Sequence, residues 1–326
     1  MNLLPALARV VRLAIAVAAA TPLLAAAQAY PAQTVRIIVP YASGGTVDQV
    51  ARLLAQKLGA GMGGQFIVEN KPGASGNIAT GQVARSTPDG YTLLVAPDSN
   101  ATVNQHLYPR LGFDPLKDLA PISLATKIGV GLVVHPSVPA RNVDELLAYA
   151  KTLPNGLSFA SPSTGTPHHL AGELLKQVSG VKMVHIPYKG GAPALNDVLG
   201  NQVPSAFVAL AIAAPHIRAG KLRLLGVTSA TRSSMFPDAP AIGETVKDFD
   251  VTSWIGVFAP AGTAPDIVQK LSLEVRKALT EPATVAVLAA QSLDVVASTP
   301  AELRERIRVE SVRWGALIKA NGISAE

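Results

Sequence analysis

The sequence predicts an α/β fold of mostly parallel sheets flanked by helices, in a chain long enough for two domains. Three observations predict it. Short β-branched runs alternate with stretches of helical periodicity along nearly the whole chain. Of the 326 residues, 27 are Gly and 25 are Pro, and many stand where the runs end. There is no cysteine, so the fold rests on its core alone, and the chain is long enough for two domains. The missing cysteines also exclude disulfides, thiolate metal sites, thiol nucleophiles and lipid attachment at a lipobox.

Arg9 and Arg12 are the only charges in the first 29 residues. An apolar stretch from Leu13 to Ala20 follows, then Thr21-Pro22, Leu23-Leu24 and Ala25-Ala26-Ala27-Gln28-Ala29. A positive start, a short apolar centre and an Ala-x-Ala end read as a secretory signal peptide over 1–29, cleaved after Ala27 or Ala29. The apolar run falls short of the roughly 20 residues a membrane-spanning helix needs, and Pro22 interrupts it. Export removes Arg9 and Arg12, so 28 basic against 22 acidic residues becomes 26 against 22, a net charge of +4. With no long basic run and only 5% aromatics, nucleic-acid binding has little support. A weak pull on anions is what the charge implies.

Val35-Arg36-Ile37-Ile38-Val39 reads as the first strand, ending at Pro40. Val47, Val50, Ala51, Leu54 and Leu58 recur at helical spacing after it. Gln65 to Val68, Tyr91 to Val95, Gly131 to Val134, Leu157 to Ala160, Met183 to Ile186, Ala206 to Val208, Leu222 to Thr228 and Trp254 to Ala259 read as further strands. Asn77 to Ala84, Val143 to Leu153 and Leu170 to Val178 read as helices between them. Thr263 is expected to cap a helix opened by Pro265. Thr299-Pro300-Ala301-Glu302 is a capping box with Pro at the first helical position.

In open α/β sheets, ligands bind beyond the carboxyl ends of strands. Two such places suit an anion. In Tyr41-Ala42-Ser43-Gly44-Gly45-Thr46, the glycines let backbone approach a ligand, Thr46 is placed to cap the next helix, and the amides behind it favour negative charge. In Ser161-Pro162-Ser163-Thr164-Gly165-Thr166-Pro167, three hydroxyls and a glycine precede a helix expected to be capped by Thr166.

Other motifs fail in context. Gly59, Gly61 and Gly64 have dinucleotide-like spacing but follow a helix and precede a strand, so they read as a helix end and turn. There is no P-loop and no nucleophile elbow. His168 and His169 are adjacent and face different ways, a poor metal pair. His106, His135, His185 and His216 stand singly, and nothing assembles a nucleophile, base and orienting acid. No enzyme, metal or cofactor is expected.

Val35 to Tyr41 followed by Gly44-Gly45 and Asp48 resembles the Bug family, the substrate-binding proteins of tripartite tricarboxylate transporters. So do Val68 to Ile78, Pro88 to Leu93, His169 to Glu173, Pro187 to Ala194, Pro215-His216-Ile217 and Ala219 to Leu222. The series covers nearly the whole chain after the leader, in order. The resemblance implies a two-lobed periplasmic binding protein of type II-like fold, each lobe a mostly parallel sheet flanked by helices, that closes on a small carboxylate, often a dicarboxylate or aromatic acid. It also implies delivery to the subunits of a membrane permease. It assigns the ligand to Tyr41, Ser43, Gly44 and Gly45 in one lobe and to Ser163, Thr164, Gly165 and Thr166 in the other. Ser99 and Asn100 would complete the first wall and Tyr188 the second. The sequence departs from the family at Val208, where an acid is usual, which implies a less polar far end to the ligand and argues against an amino acid.

Lobe one is expected over 30–125 and 251–326 and lobe two over 126–250, with two crossings forming a hinge. A monomer is expected. Two rivals to transport stand beside it: a hydrolase or lyase of small acids, for which no acid–base pair is seen, and a sensing subunit that presents its bound form to a membrane kinase.

Overall fold

A computed structural model describes residues 30–325. The expected leader over 1–29 lies outside the described residues. The chain begins with strand β1 (Val35–Val39), helix α1 (Thr46–Met62), β2 (Phe66–Asn70), α2 (Asn77–Ala84) and β3 (Thr92–Pro97). It continues through α3 (Asn104–Leu107), α4 (Pro115–Asp118), β4 (Leu119–Ile128), β5 (Val130–Val134), α5 (Val143–Thr152), β6 (Leu157–Ser161), α6 (Pro167–Ser179) and β7 (Met183–Pro187). Then come α7 (Gly191–Leu199), β8 (Ser205–Ala209), α8 (Leu210–Arg218), β9 (Arg223–Val227) and β10 (Ser253–Pro260). The chain closes with α9 (Pro265–Thr280), α10 (Pro282–Ala289), β11 (Leu293–Val295) and α11 (Pro300–Ala320). No described helix is long and apolar enough to cross a membrane.

Among the described residues the strands form two sheets. The six-stranded sheet has the order β11-β4-β10-β3-β1-β2, and the five-stranded sheet has the order β7-β6-β8-β5-β9. The sequence reading of mostly parallel sheets is corrected here: each sheet is mixed. The βαβ units give parallel pairs, β1 with β2 and β3, and β6 with β7 and β8. Strand β10 runs antiparallel to both β3 and β4, and β5 runs antiparallel to both β8 and β9. The reason is the exchange between lobes. A strand that returns from the other lobe enters its sheet from the opposite end, with no crossover helix to reverse it.

Both sheets are covered on both faces, so their strands read as continuous apolar runs. In the first sheet, Ile37, Val95 and Ile255 pack towards α1 and α9, while Ile38, Leu94 and Trp254 pack towards α2 and α11. In the second, Phe159, Leu132 and Phe207 share a core with α5 and α6, and Val133, Ala160 and Val208 one with α7 and α8. Phe159 and Phe207 are fully buried and meet edge to face, with ring centroids 5.7 Å apart. Truncating either to Ala costs about 3–5 kcal/mol.

The chain passes between sheets at Gly129, from β4 to β5, and again between β9 and β10. Strand β4 runs to Ile128, three residues past the expected border at 125, because its last residues pair with β10 and β11. The end of α11 also departs from the expected division. Trp314, Leu317 and Ile318, at helical spacing, are buried in the second lobe's core together with Val103 and Leu107.

Thr299 and Glu302 cap α11 reciprocally, and Thr166 caps α6 ahead of Pro167, both as expected. Two expected caps are corrected. Thr263 turns its hydroxyl to the carbonyl of Pro260, 2.7 Å away, which puts Ala264 at the cap of α9. Gly45 holds the cap position of α1, and Thr46 is already helical.

Candidate ligand-binding site

A cavity of about 170 Å3 lies between the lobes. Tyr41, Ser75, Ser99, Asn104, Leu107 and Tyr108 form its wall from the first lobe, and Ser163, Thr164, Gly165 and Thr166 its wall from the second. A larger groove of about 600 Å3, lined by Arg141, Arg218, Arg223 and Phe236, opens on the outer face of the second lobe. It runs along the amino end of β9, away from the carboxyl ends of the strands and from the lobe junction. The cavity between the lobes meets both conditions, which makes it the candidate.

The first wall is assembled from distant segments. After β2 the chain turns through Ala74 and Ser75, both at positive φ (46° and 52°) without being glycine. Such strain persists only where surrounding contacts enforce it. Here the Ser75 carbonyl accepts from Asn100 Nδ2 and from Asn104 Nδ2, each at 3.1 Å, and the Tyr41 hydroxyl lies 3.4 Å away. The Ser75 hydroxyl is 2.7 Å from that of Tyr108. Gly76 holds the junction to α2, since a Cβ there would come within 2.6 Å of Asn100 and 2.8 Å of Pro40. Burial pushes the Tyr41 phenol up to about 12, so it stays a neutral donor.

Behind this wall lies a buried acidic pair. The Asp98 carboxyl accepts from the Ser253 hydroxyl at 3.3 Å, and Glu310 accepts from the Trp254 indole at 2.8 Å. Burial, then the neighbouring Glu310, holds Asp98 well above the usual carboxylate range, and burial raises Glu310.

The second wall is one continuous loop at the N-terminus of α6. The Thr166 hydroxyl donates to the carbonyl of Ser163 at 2.8 Å while receiving the amide of His169. Gly165 has φ +75°, and a Cβ there would lie 2.2 Å from Leu107 of the opposite lobe. The glycine is therefore required twice, by its backbone and by the close approach of the lobes. Beneath the loop, the Gly165 amide donates to His169 Nδ1 at 3.0 Å. The imidazoles of His169 and His185 stack at 3.7 Å, with 16° between their planes. These two histidines are brought together by the fold, against the sequence reading of His185 as standing singly.

Among the described residues lining the cavity, none carries a charged side chain. The wall offers an anion neutral donors: hydroxyls and the backbone amide dipoles of α6. Tyr41, Ser99, Ser163, Thr164, Gly165 and Thr166 thus meet around one cavity, as the sequence reading grouped them.

The remaining expected residues lie elsewhere. Asn100 is buried one layer back, positioning Ser75. Ser43, Gly44 and Gly45 are exposed and off the cavity wall. The Gly44 amide is taken by Asp48 Oδ2 at 2.8 Å, so α1 carries its own anion in its first turn. Burial would raise that carboxyl, but Arg52, the Gly44 amide and Asn70 hold it below its ordinary value. Tyr188 donates to Asp197 at 2.5 Å instead of facing the cavity. Val208 is fully buried between Ala160, Leu195 and Val198, so it does not shape the far end of the ligand space.

Ser75, Asn104, Leu107 and Tyr108 escaped the sequence reading. A signal for Ser75 was present, because Gly73-Ala74-Ser75-Gly76 also follows a strand end. Nothing local marks Asn104 to Tyr108.

Residues 50–323 match the family described as tripartite tricarboxylate transporter family receptor. Protein BugT of Bordetella pertussis is 36% identical over 298 residues, covering 91% of this chain and 91% of BugT. An R. palustris protein solved with adipate superposes with a TM-score of 0.78 at 33% identity, over 90% of this chain and 99% of that one. MatC from Rhodopseudomonas palustris, with bound malate, gives 0.74 at 30% identity, over 89% of this chain and 100% of that one.

Proposed function

Because the chain belongs to the tripartite tricarboxylate transporter receptors, a family of solute-binding proteins and not of enzymes, we propose that it captures a small carboxylate in the periplasm for a membrane permease. The single observation that carries the ligand class is the cavity between the lobes. It offers hydroxyls and amides at the N-terminus of α6 with no charged side chain in its wall. A monoanionic head fits the Ser163–Thr166 loop, and Ser75, Asn104 and Tyr108 offer polar partners to a second oxygen group opposite. The cavity, at about 170 Å3, is close to the ~150 Å3 that holds a benzene-sized guest. A dicarboxylate of roughly four to six carbons therefore fits better than a large aromatic acid. Relatives solved with adipate and with malate support that range.

In this reading the chain is exported by its leader, and its lobes divide at the two passages between the sheets. Thermal shift on the protein without its leader, against a panel of carboxylates, tests it. A ligand at 100 times its Kd adds about 2.7 kcal/mol to stability. Stabilisation by adipate or malate, and none by their diamides, is expected. Equal response to the diamides removes the carboxylate from the proposal.

A further inference from the structure

Two stacked imidazoles reach both ends of the second-lobe loop from below. His169 Nδ1 accepts the Gly165 amide at 3.0 Å, so in its neutral form the ring proton sits on Nε2, which faces Glu173 Oε1 at 3.7 Å. The Ser161 hydroxyl donates to the Ser163 carbonyl at 3.1 Å, so its oxygen accepts from His185 Nε2 at 2.7 Å. One chain of contacts runs from Glu173 through His169 to Gly165, the other from His185 through Ser161 to Ser163. Between them they hold the backbone that lines the cavity.

We propose that His169, held by its stack on His185, is a positioning residue for the ligand that sets the Gly165 backbone. The proposal rests on the Ser161–Thr166 loop being a wall of the ligand site, as read above.

The charged and titratable groups around the pair are Glu173 and Lys176, on the same helix as His169, and the two histidines themselves. Phe159, packed on both rings, is apolar. Removing the Nδ1 acceptor leaves the Gly165 amide without its partner, so the loop loosens and binding weakens.

The test measures adipate Kd by calorimetry for the native protein, His169→Asn and His169→Leu. Asn offers an oxygen near the place of Nδ1, and Leu offers no acceptor. His169→Asn is expected to bind within about threefold of native, and His169→Leu about tenfold more weakly, the loss of one buried hydrogen bond. Native-like binding by His169→Leu, or a loss in His169→Asn as large as in His169→Leu, overturns the proposal.

A ligand-free measurement separates this from the site reading. Hydrogen exchange of the Gly165 amide should speed up in His169→Leu and stay native-like in His169→Asn. If adipate and malate do not bind but the Gly165 amide behaves so, the carboxylate reading falls and the positioning role stands. A Gly165 amide indifferent to His169 overturns the positioning role.

Discussion

The two walls of the cavity reach the same polar surface by opposite routes. The second wall is one stretch of chain, Ser161 to Thr166, shaped by the start of the helix that follows it. The first gathers Tyr41, Ser75, Ser99 and Asn104 from segments that meet only after the sheet forms, tied by Asn100 across 25 residues to Ser75 and by Tyr41 across 59 to Asn100. A local wall is specified by a motif. A distributed wall is specified by the fold.

The sharpest way to break the comparison is Gly165→Val. It imposes positive φ on a β-branched residue and drives a side chain into Leu107. We expect adipate affinity to fall by at least about 100-fold in calorimetry, combining backbone strain and blocked approach. Asn100→Leu attacks the first wall from behind. It leaves the Ser75 carbonyl and the Thr80 hydroxyl short of a partner, at about 1–3 kcal/mol of stability by urea unfolding, and affinity drops about tenfold.

A pH series on unfolding separates what stands behind the walls. The folded Asp98 carboxyl sits above its ordinary value, so the folded state holds that proton more tightly. Stability behind the first wall therefore declines as pH rises from about 4 through the folded value. Burial, then the neighbouring His169, pushes His185 down to about 3, so its contribution is lost as pH falls from 6.5 towards 3. Asp98→Asn should remove the first slope from the urea midpoint profile and leave the second. A profile unchanged by Asp98→Asn contradicts this assignment.

Thr166→Ala removes the cap of α6 and should cost about 1 kcal/mol in stability, with roughly a fivefold loss in affinity. The smallest effect belongs to Tyr188→Phe. Its hydroxyl serves Asp197, so affinity should stay within about twofold, and a larger change would place Tyr188 in the site after all.

The same contrast explains what was legible beforehand. Strand–helix alternation, the caps at Thr166 and Thr299 and the loop at Ser161 to Thr166 depend on neighbours within a few residues, and the sequence displays them. Asn104, Leu107 and Tyr108 enter the site because the chain after β3 folds back over Ser75, which no local pattern encodes. The antiparallel strand β10 finds β3 and β4 from more than 120 residues away, so the direction of the sheets stayed hidden. Val208 was read from the acid the family usually carries there, which says nothing of which way this side chain faces. Strand residues alternate sides, and this one turns into the core.

The end of α11 adds a mechanical consequence. Two bodies joined by a pair of neighbouring strands can swing apart and also twist about the line of the joint. Trp314, Leu317 and Ile318, lodged in the far body while the start of the same helix is anchored in the near one by Leu303 and Ile307, form a third strut set off from that line. A strut so placed resists torsion and leaves one axis of swing, as the second bolt on a bracket does. The same strut fixes the alignment in which Gly165 meets Leu107.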